Sequence, residues 1–207
     1  FVSLLIVYLF VAGCGGGTVA GDSSGASSGV ATAHEFIYVA SGDGSVSAYG
    51  IDSSTGALTA VPGSPFSTAG NDSRSVIVDR NGKFAYVVNY CGSDPVCNTG
   101  DISTVAVFTI NPSSGVLSAV AGSPFAASSG ASSLTVNPSG KFIYVTNPNS
   151  ISAYTIDTSS GLLVAVPGSP FAAVAPYSIT IDPSGTFAYA LNPTAQNVSV
   201  YTINSSN

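Results

Sequence analysis

The hexapeptide Phe142-Ile143-Tyr144-Val145-Thr146-Asn147 decides the fold, because the chain carries several inexact copies of it. Near copies occupy residues 84–89 and 187–192, and a fainter copy occupies residues 36–41. The copies begin at residues 36, 84, 142 and 187, which is 48, 58 and 45 residues apart. A repeat period of ~40–50 residues is typical of propellers and solenoids. This internal repeat predicts the architecture more strongly than any single local pattern does.

Each repeat divides into four short apolar segments, which we call a, b, c and d, with the hexapeptide as segment b. Segment a ends in Asp or Asn, and the residues after it often include Pro and always include Gly. This order is typical of a tight turn. A similar turn separates c from d, and d ends in Gly-Ser-Pro-Phe. The a segments are residues 75–79, 133–137 and 178–182, the c segments are residues 46–52, 105–111, 151–157 and 198–204, and the Gly-Ser-Pro-Phe segments are residues 63–66, 122–125 and 168–171.

Four antiparallel strands joined by hairpins make one propeller blade. The segments run b-c-d, a-b-c-d, a-b-c-d, a-b-c, which predicts fourteen strands. The Pro of segment d cannot donate a backbone hydrogen bond, so we expect it at the end of an edge strand. We predict an all-β protein, a β-propeller of four-stranded antiparallel blades over residues 34–207. We expect the chain to be a fragment, about half of a seven-bladed ring.

Composition excludes one class of function. The chain has four basic residues and a formal net charge of −6, whereas nucleic-acid binding requires a basic face that neutralises phosphates. Charged residues make up 7% of the chain and hydrophobic residues 45%, so the low charge does not indicate disorder. We expect no nucleic-acid partner, no cofactor and no metal site.

The first 33 residues differ from the repeats. Residues 1–12 are apolar and too short to cross a bilayer, but they suit the centre of a secretory signal. Val11-Ala12-Gly13-Cys14 resembles the bacterial lipobox, which implies cleavage before Cys14 and a lipid anchor on its thiol; an ordinary buried strand with a chance Cys is the alternative. Residues 15–33 are rich in Gly and Ser, which predicts a flexible tether.

We therefore expect residues 1–14 to be a lipoprotein signal, shortened at its N-terminus, and the membrane to be a partner through Cys14. The resemblance to lipoproteins, with Gly rather than Asp after the Cys, implies the outer membrane or the cell surface. In such an exported protein, Cys91 and Cys97 are expected to form a disulfide that pins an insertion at residues 90–101. A metal site is less favoured, because no further ligands lie nearby in the sequence.

Tyr144-Val145-Thr146-Asn147 matches the signature of YVTN-type propeller repeats. With the Asp-Pro-Ser-Gly turn and the Gly-Ser-Pro-Phe segment, the chain from about Phe36 to Asn204 resembles the seven-bladed lactonase-like propellers of the 6-phosphogluconolactonase type. This resemblance implies a hydrolase of sugar lactones. A non-catalytic surface propeller that binds a carbohydrate, a peptide or a protein is the alternative.

The resemblance also implies where a site would lie, because enzyme-like members present His or Arg just before segment a. Arg74, Ser132 and Tyr177 occupy those positions here. Arg74 and Tyr177 are therefore the candidate ligand-binding residues, with a solvated or Asp-paired Arg74 as the alternative, and no catalytic residue is assigned. His34 and Glu35 are expected to be surface residues.

Overall fold

The computed structural model describes residues 35–92 and 101–204, and these residues form seventeen β-strands in four antiparallel sheets. Sheet 1 contains β1 (Glu35–Ser41), β2 (Ser45–Ile51), β3 (Leu58–Ala60) and β4 (Phe66–Ser67). Sheet 2 contains β5 (Asn71–Val78), β6 (Phe84–Cys91), β7 (Thr104–Ile110), β8 (Leu117–Ala119) and β9 (Phe125–Ala126). Within this part of the chain, no helix is long and apolar enough to cross a membrane.

Sheets 3 and 4 repeat the same plan. Sheet 3 contains β10 (Ser133–Val136), β11 (Phe142–Asn147), β12 (Ser150–Ile156), β13 (Leu163–Ala165) and β14 (Phe171–Ala172). Sheet 4 contains β15 (Ser178–Ile181), β16 (Phe187–Asn192) and β17 (Asn197–Thr202). The first strands of the four sheets contact one another in the order β1, β5, β10, β15, where β1 is a segment b strand and the other three are segment a strands. Such sequential contacts are the arrangement of consecutive propeller blades.

The predicted count of fourteen strands is wrong in one respect, because each segment d is divided into two short strands. In sheet 3, β13 and β14 both pair with β12, and a turn that contains the cis Ser169-Pro170 peptide bond lies between them. Pro has no N–H to donate, so the ladder stops at this turn and resumes beyond it. The Pro therefore lies within the edge of the sheet rather than at its end.

The alternation of side chains along segment b assigns each face of a sheet to one neighbour. On β6, Phe84, Tyr86 and Val88 pack into the core shared with sheet 3. Ala85 and Val87 pack into the core shared with sheet 1. Both faces of the sheet are therefore buried, which explains why the hexapeptides read as nearly continuous apolar runs.

Sheet 4 has a neighbour on one face alone among the described residues. Ala188 and Ala190 of β16 are buried against sheet 3. The residues that alternate with them are exposed, although their counterparts on β6 are fully buried. The exposed apolar residues on this outer face are Phe187, Tyr189, Leu191, Val198 and Val200.

Candidate functional site

The candidate site lies at the rim where three equivalent connections lead into the innermost strands of sheets 2, 3 and 4. Three positions before the first residue of each segment a, the backbone is left-handed: φ is 52° at Asp72, which lies near the start of β5, 78° at Gly130 and 44° at Ala175. Ala69, with φ of 54°, is a second left-handed residue on the way into β5. Left-handed φ is uncommon for residues other than Gly, so its recurrence shows that the three connections share one backbone path. Two residues further on stand Arg74, Ser132 and Tyr177, as the repeat predicts.

Arg74 is held in place on two sides. Its Nε and Nη2 donate to Oδ2 of Asp72 at 2.9 and 2.7 Å. Its guanidinium carbon lies 3.5 Å from the centroid of the Tyr90 ring, a cation–π arrangement. The Arg74 side chain is 37% exposed, so the positioned guanidinium remains accessible from the rim. This is the Asp-paired state given above as the alternative for Arg74, and the pair leaves the cation able to meet a ligand.

The backbone of sheet 2 accounts for the position of Arg74. The register between β5 and β6 shifts between Ser73 and Ser75, so that Arg74 stands at a bulge. Bulges change the direction of a side chain and are frequent next to functional sites. The two strands also continue as far as the pair of Asn71 and Cys91, whereas β10 begins only at Ser133. The extension carries Asp72, Arg74 and Tyr90 together above the level of the other sheets' strands.

A hydrogen-bond chain fixes Tyr90 to the neighbouring sheet. Oγ of Ser103 donates to the carbonyl oxygen of Tyr90 at 2.6 Å and accepts from the backbone N–H of Ala131 at 3.0 Å. Ser103 is fully buried, and these contacts connect the extension of sheet 2 to the connection that leads into sheet 3. The backbone of Tyr90, whose ring supports Arg74, is therefore linked to the connection that leads into sheet 3.

Tyr177 lies at the same rim on sheet 4. Oγ of Ser132 donates to the carbonyl oxygen of Tyr177 at 2.8 Å, and the Thr146 hydroxyl contacts the same oxygen at 3.2 Å. The Tyr177 side chain is nevertheless 50% exposed. Hydrogen bonds fix its backbone carbonyl, whereas its ring is open to solvent and could contact a ligand. The structure places Arg74 and Tyr177 on the same rim, on sheets that are separated by sheet 3.

Sequence reasoning did not identify the roles of Tyr90 and Asp72. Tyr90 was assigned to the insertion, and its contact with Arg74 depends on the pairing of β6 with β5 across the bulge. The left-handed Asp72 has one signal in the sequence, because it aligns with Gly130. A Gly in one copy of a repeat indicates a position where a left-handed backbone is favoured.

The Asn that ends the hexapeptide is a buried polar residue that sequence reasoning also left without a role. Asn89 is fully buried, accepts from the Ser73 hydroxyl at 2.7 Å and donates to Thr104 Oγ1 at 3.0 Å. Asn147 donates to Ser152 Oγ at 2.9 Å, but its Oδ1 is buried without a hydrogen-bond partner. Ala131 stands where sheet 2 has Ser73, which explains the missing donor. These residues hold the rim turns in place rather than facing a ligand.

The cysteines and the acidic residues were the other candidates. Cys91 is disulfide-bonded, while Cys97 and Cys14 lie outside the described residues, so both the Cys91–Cys97 pairing and the lipidation of Cys14 stay predictions. His34 also lies outside them, and Glu35 begins β1 with a partly exposed side chain. In residues 35–92 and 101–204, no three His, Cys, Asp or Glu side chains are grouped so that they could hold a metal ion.

Comparison with solved structures supports the fold. A proposed 6-phosphogluconolactonase from Bacteroides fragilis is 20% identical and superposes with a TM-score of 0.68 over 89% of this chain and 55% of its own. A proposed 6-phosphogluconolactonase from Bacteroides uniformis gives 18% identity and a TM-score of 0.65 over 86% of this chain and 52% of its own. A functionally unknown protein from Desulfotomaculum acetoxidans is 17% identical and superposes with a TM-score of 0.65 over 81% of this chain and 51% of its own. The chain thus spans about half the length of these structures.

The family follows from the sequence itself. No curated protein matches the chain. The family model described as "Lactonase, 7-bladed beta-propeller" matches residues 101–207, just over half of the chain. The four repeated sheets, their sequential contacts and this match agree with one another. The chain belongs to the family of seven-bladed β-propeller lactonases.

Proposed function

We propose that the protein binds and hydrolyses sugar lactones at the rim that carries Arg74 and Tyr177. Family membership supports the reaction, and the observation that carries the proposal is the guanidinium of Arg74, which is positioned by Asp72 and Tyr90 yet accessible. In lactone hydrolysis, water attacks the carbonyl carbon, the ring C–O bond breaks and a hydroxy acid forms. Such a reaction requires an activated water and a donor that stabilises charge on the carbonyl oxygen.

The described residues provide a group for each requirement. Arg74 supplies N–H donors for the carbonyl oxygen, and the exposed ring of Tyr177 supplies an apolar surface for the sugar. Both hydrogen bonds from Arg74 go to Oδ2 of Asp72, so Oδ1 is the atom assigned to accept the proton of the attacking water. The substrate is assigned as unphosphorylated, since Arg74 is the one basic side chain described at this rim, and an exported enzyme would meet free sugars.

The test is turnover of a panel of unphosphorylated sugar lactones by the full-length protein, measured above the spontaneous rate. Loss of one charge-stabilising donor typically costs about 10²–10³ in kcat, so Arg74→Ala should reduce turnover by at least tenfold. Arg80→Ala is the matched control, because Arg80 is an exposed cation in the turn between β5 and β6, at the opposite end of the sheet. Equal activity of wild type and Arg74→Ala would contradict the proposed site.

A non-catalytic binding propeller is the second candidate. The observation that favours it is that two of the three equivalent rim positions, Ser132 and Tyr177, carry neutral side chains, and that Tyr177, which is 50% exposed, provides aromatic surface. Aromatic side chains give large contact areas at a low cost in conformational entropy. Saturable binding of a sugar or a peptide at this rim, with no turnover by the folded full-length protein, would establish this candidate in place of the hydrolase.

We also propose that the protein is exported and held at the outer membrane or cell surface by a lipid on Cys14, with a Cys91–Cys97 disulfide. Supporting features are the lipobox-like Val11-Ala12-Gly13-Cys14 and the disulfide-bonded state of Cys91. Labelling with a fatty-acid analogue should mark the wild type but not Cys14→Ser, which should leave the membrane fraction. Label that persists in Cys14→Ser would refute the anchor, and a mass spectrum that pairs Cys91 with another residue would refute the disulfide.

A further inference from the structure

Ser103 lies directly before β7, at a position that sheets 1 and 3 repeat. Its backbone carbonyl oxygen accepts from the N–H of Ala127, the residue that follows β9, at 2.8 Å. Gly44 before β2 and Asn149 before β12 each accept an equivalent hydrogen bond at 3.0 Å. Because Gly44 makes this contact without a side chain, the contact does not explain why sheet 2 has a serine here.

The side chain of Ser103 joins two backbone groups that belong to different sheets. It is fully buried, and its Oγ donates to the carbonyl oxygen of Tyr90 at 2.6 Å and accepts from the N–H of Ala131 at 3.0 Å. In sheet 1 the equivalent residue, Gly44, has no side chain. The connection into sheet 4 has Pro176 where Ala131 stands, and Pro has no N–H to donate. This serine bridge is therefore a property of sheet 2 rather than of the repeat.

Tyr90 depends on the serine bridge because the ladder beside it has ended. Pairing of β6 with β7 stops at Asn89 opposite Thr104, one residue before Tyr90. A backbone carbonyl beyond the end of a ladder needs another donor. The Ser103 hydroxyl is that donor, so it holds the end of β6 against the connection into sheet 3.

The ring of Tyr90 connects the serine bridge to Arg74. The guanidinium carbon lies 3.5 Å from the ring centroid, so the position of the cation depends on that of the ring. The connection into sheet 3 also borders the ring, since a Cβ placed on Gly130 would lie 3.9 Å from Cε2 of Tyr90. Ser103 fixes that connection through Ala131, the next residue, and fixes the Tyr90 backbone at the same time.

We propose that Ser103 is a positioning residue for the hydrolysis of sugar lactones, one that acts on Arg74 through Tyr90. This inference rests on the proposed function of the rim. Ser103 is buried and takes no part in bond making or breaking. Its hydroxyl keeps the guanidinium where negative charge develops on the carbonyl oxygen of the lactone. Displacement of such a group by about 1 Å can cost on the order of 10² in rate.

Loss of the Ser103 hydroxyl should affect kcat more than KM. Arg74 keeps its two hydrogen bonds to Asp72 but loses the fixed support of the Tyr90 ring. The cation therefore remains at the rim and still contacts the bound lactone. An interaction that is weakened mainly in the transition state lowers kcat and leaves KM nearly unchanged.

The experiment measures kcat and KM of the full-length protein with the unphosphorylated sugar lactone that the wild type hydrolyses fastest. Ser103→Ala should lower kcat by about tenfold and change KM by less than about twofold. Ser123→Ala is the matched control, because Oγ of Ser123 likewise accepts from a backbone N–H, that of Val107 at 2.9 Å, but at the outer edge of sheet 2. This control should keep kcat within about twofold of the wild type.

A double-mutant cycle tests whether Ser103 acts through Arg74. In the Arg74→Ala background, Ser103→Ala should change kcat by less than about twofold, because the group that it positions is already absent. A further loss of about tenfold in that background would overturn the proposal. Equal losses of kcat in Ser103→Ala and Ser123→Ala would overturn it as well, since any loosening of sheet 2 would then have the same effect.

Two outcomes separate the role of Ser103 from the proposed function. Wild-type kcat in folded Ser103→Ala, together with loss of turnover in Arg74→Ala, would overturn the role of Ser103 alone. Absence of turnover by the folded wild type would overturn the proposed function and the role of Ser103 with it. Circular dichroism checks folding, and Ser103→Gly, which introduces the residue that sheet 1 has at this position, replaces Ser103→Ala if the alanine variant is not folded.

Discussion

Two equivalent tyrosines differ in one hydrogen bond, and this difference makes a sharp prediction about stability. Tyr38 and Tyr86 both stand third in their hexapeptides, and both are buried. The Tyr38 hydroxyl donates to the carbonyl oxygen of Gly115 at 2.9 Å, whereas the Tyr86 hydroxyl is buried without a hydrogen-bond partner. Replacing each by Phe removes the same atom from two different environments.

The expected effects have opposite signs. A net hydrogen bond contributes about 1 kcal/mol, and an unpaired buried polar group costs ~1–3 kcal/mol. Tyr38→Phe should therefore lower the free energy of unfolding by about 1–2 kcal/mol, because it also leaves the Gly115 carbonyl without its donor. Tyr86→Phe should leave the free energy of unfolding unchanged or raise it by up to ~1 kcal/mol, since it removes a desolvated hydroxyl that bonds to nothing.

The assay is urea unfolding of the wild type and both variants. Midpoints can be compared when the free energy of unfolding depends on urea concentration with the same slope in all three proteins. The free energies of unfolding of the two variants should differ by about 2 kcal/mol, which corresponds to a difference in Tm of roughly 4–8 °C for a domain of this size. Equal destabilisation by the two changes, or a larger loss for Tyr86→Phe, would refute the argument that the Gly115 carbonyl distinguishes the two sites.

Two further predictions concern charged residues. Lys83→Ala should destabilise the chain by about 1 kcal/mol, because two inter-sheet hydrogen bonds from Nζ are lost; a urea midpoint equal to that of the wild type would contradict this. The Ser54 hydroxyl and nearby backbone amides lower the pKa of Asp52 to about 2, and Ser159 does the same for Asp157. Because these values are depressed in the folded state, the stabilisation is present above about pH 4 and is lost as the pH falls towards 2. Asp52→Asn should make the free energy of unfolding depend less on pH between about pH 4 and 2. The same pH dependence in the wild type and in Asp52→Asn would contradict this prediction.

The sequence predicts the repeated strands well, because alternation and turn chemistry are local properties. Asp79 illustrates this: its Oδ1 accepts from the backbone N–H groups of Lys83 and Phe84, as the turn pattern implies. The division of segment d was not predicted, since a Pro reads as a strand end when the return of the chain beyond it is not visible.

The site was predicted only in outline. Position within the repeat located Arg74 and Tyr177, because each directly precedes segment a of its repeat. The contacts that hold Arg74 could not be predicted, because they depend on the bulge, on the left-handed backbone of Asp72 and on Tyr90 in the paired strand β6. Such features depend on how strands pair across the sheet, and the periodicity of a sequence does not show which residues of two strands lie opposite each other.

Recognition of the carbonyl group of a sugar lactone by the positioned Arg74 can be tested without relying on catalysis. A sugar lactam keeps the ring and the carbonyl oxygen but resists hydrolysis. Calorimetric titration of the full-length protein with this compound should show binding that Arg74→Ala weakens at least tenfold and Arg80→Ala leaves unchanged. Binding that is equally strong in wild type and Arg74→Ala would contradict this role of Arg74.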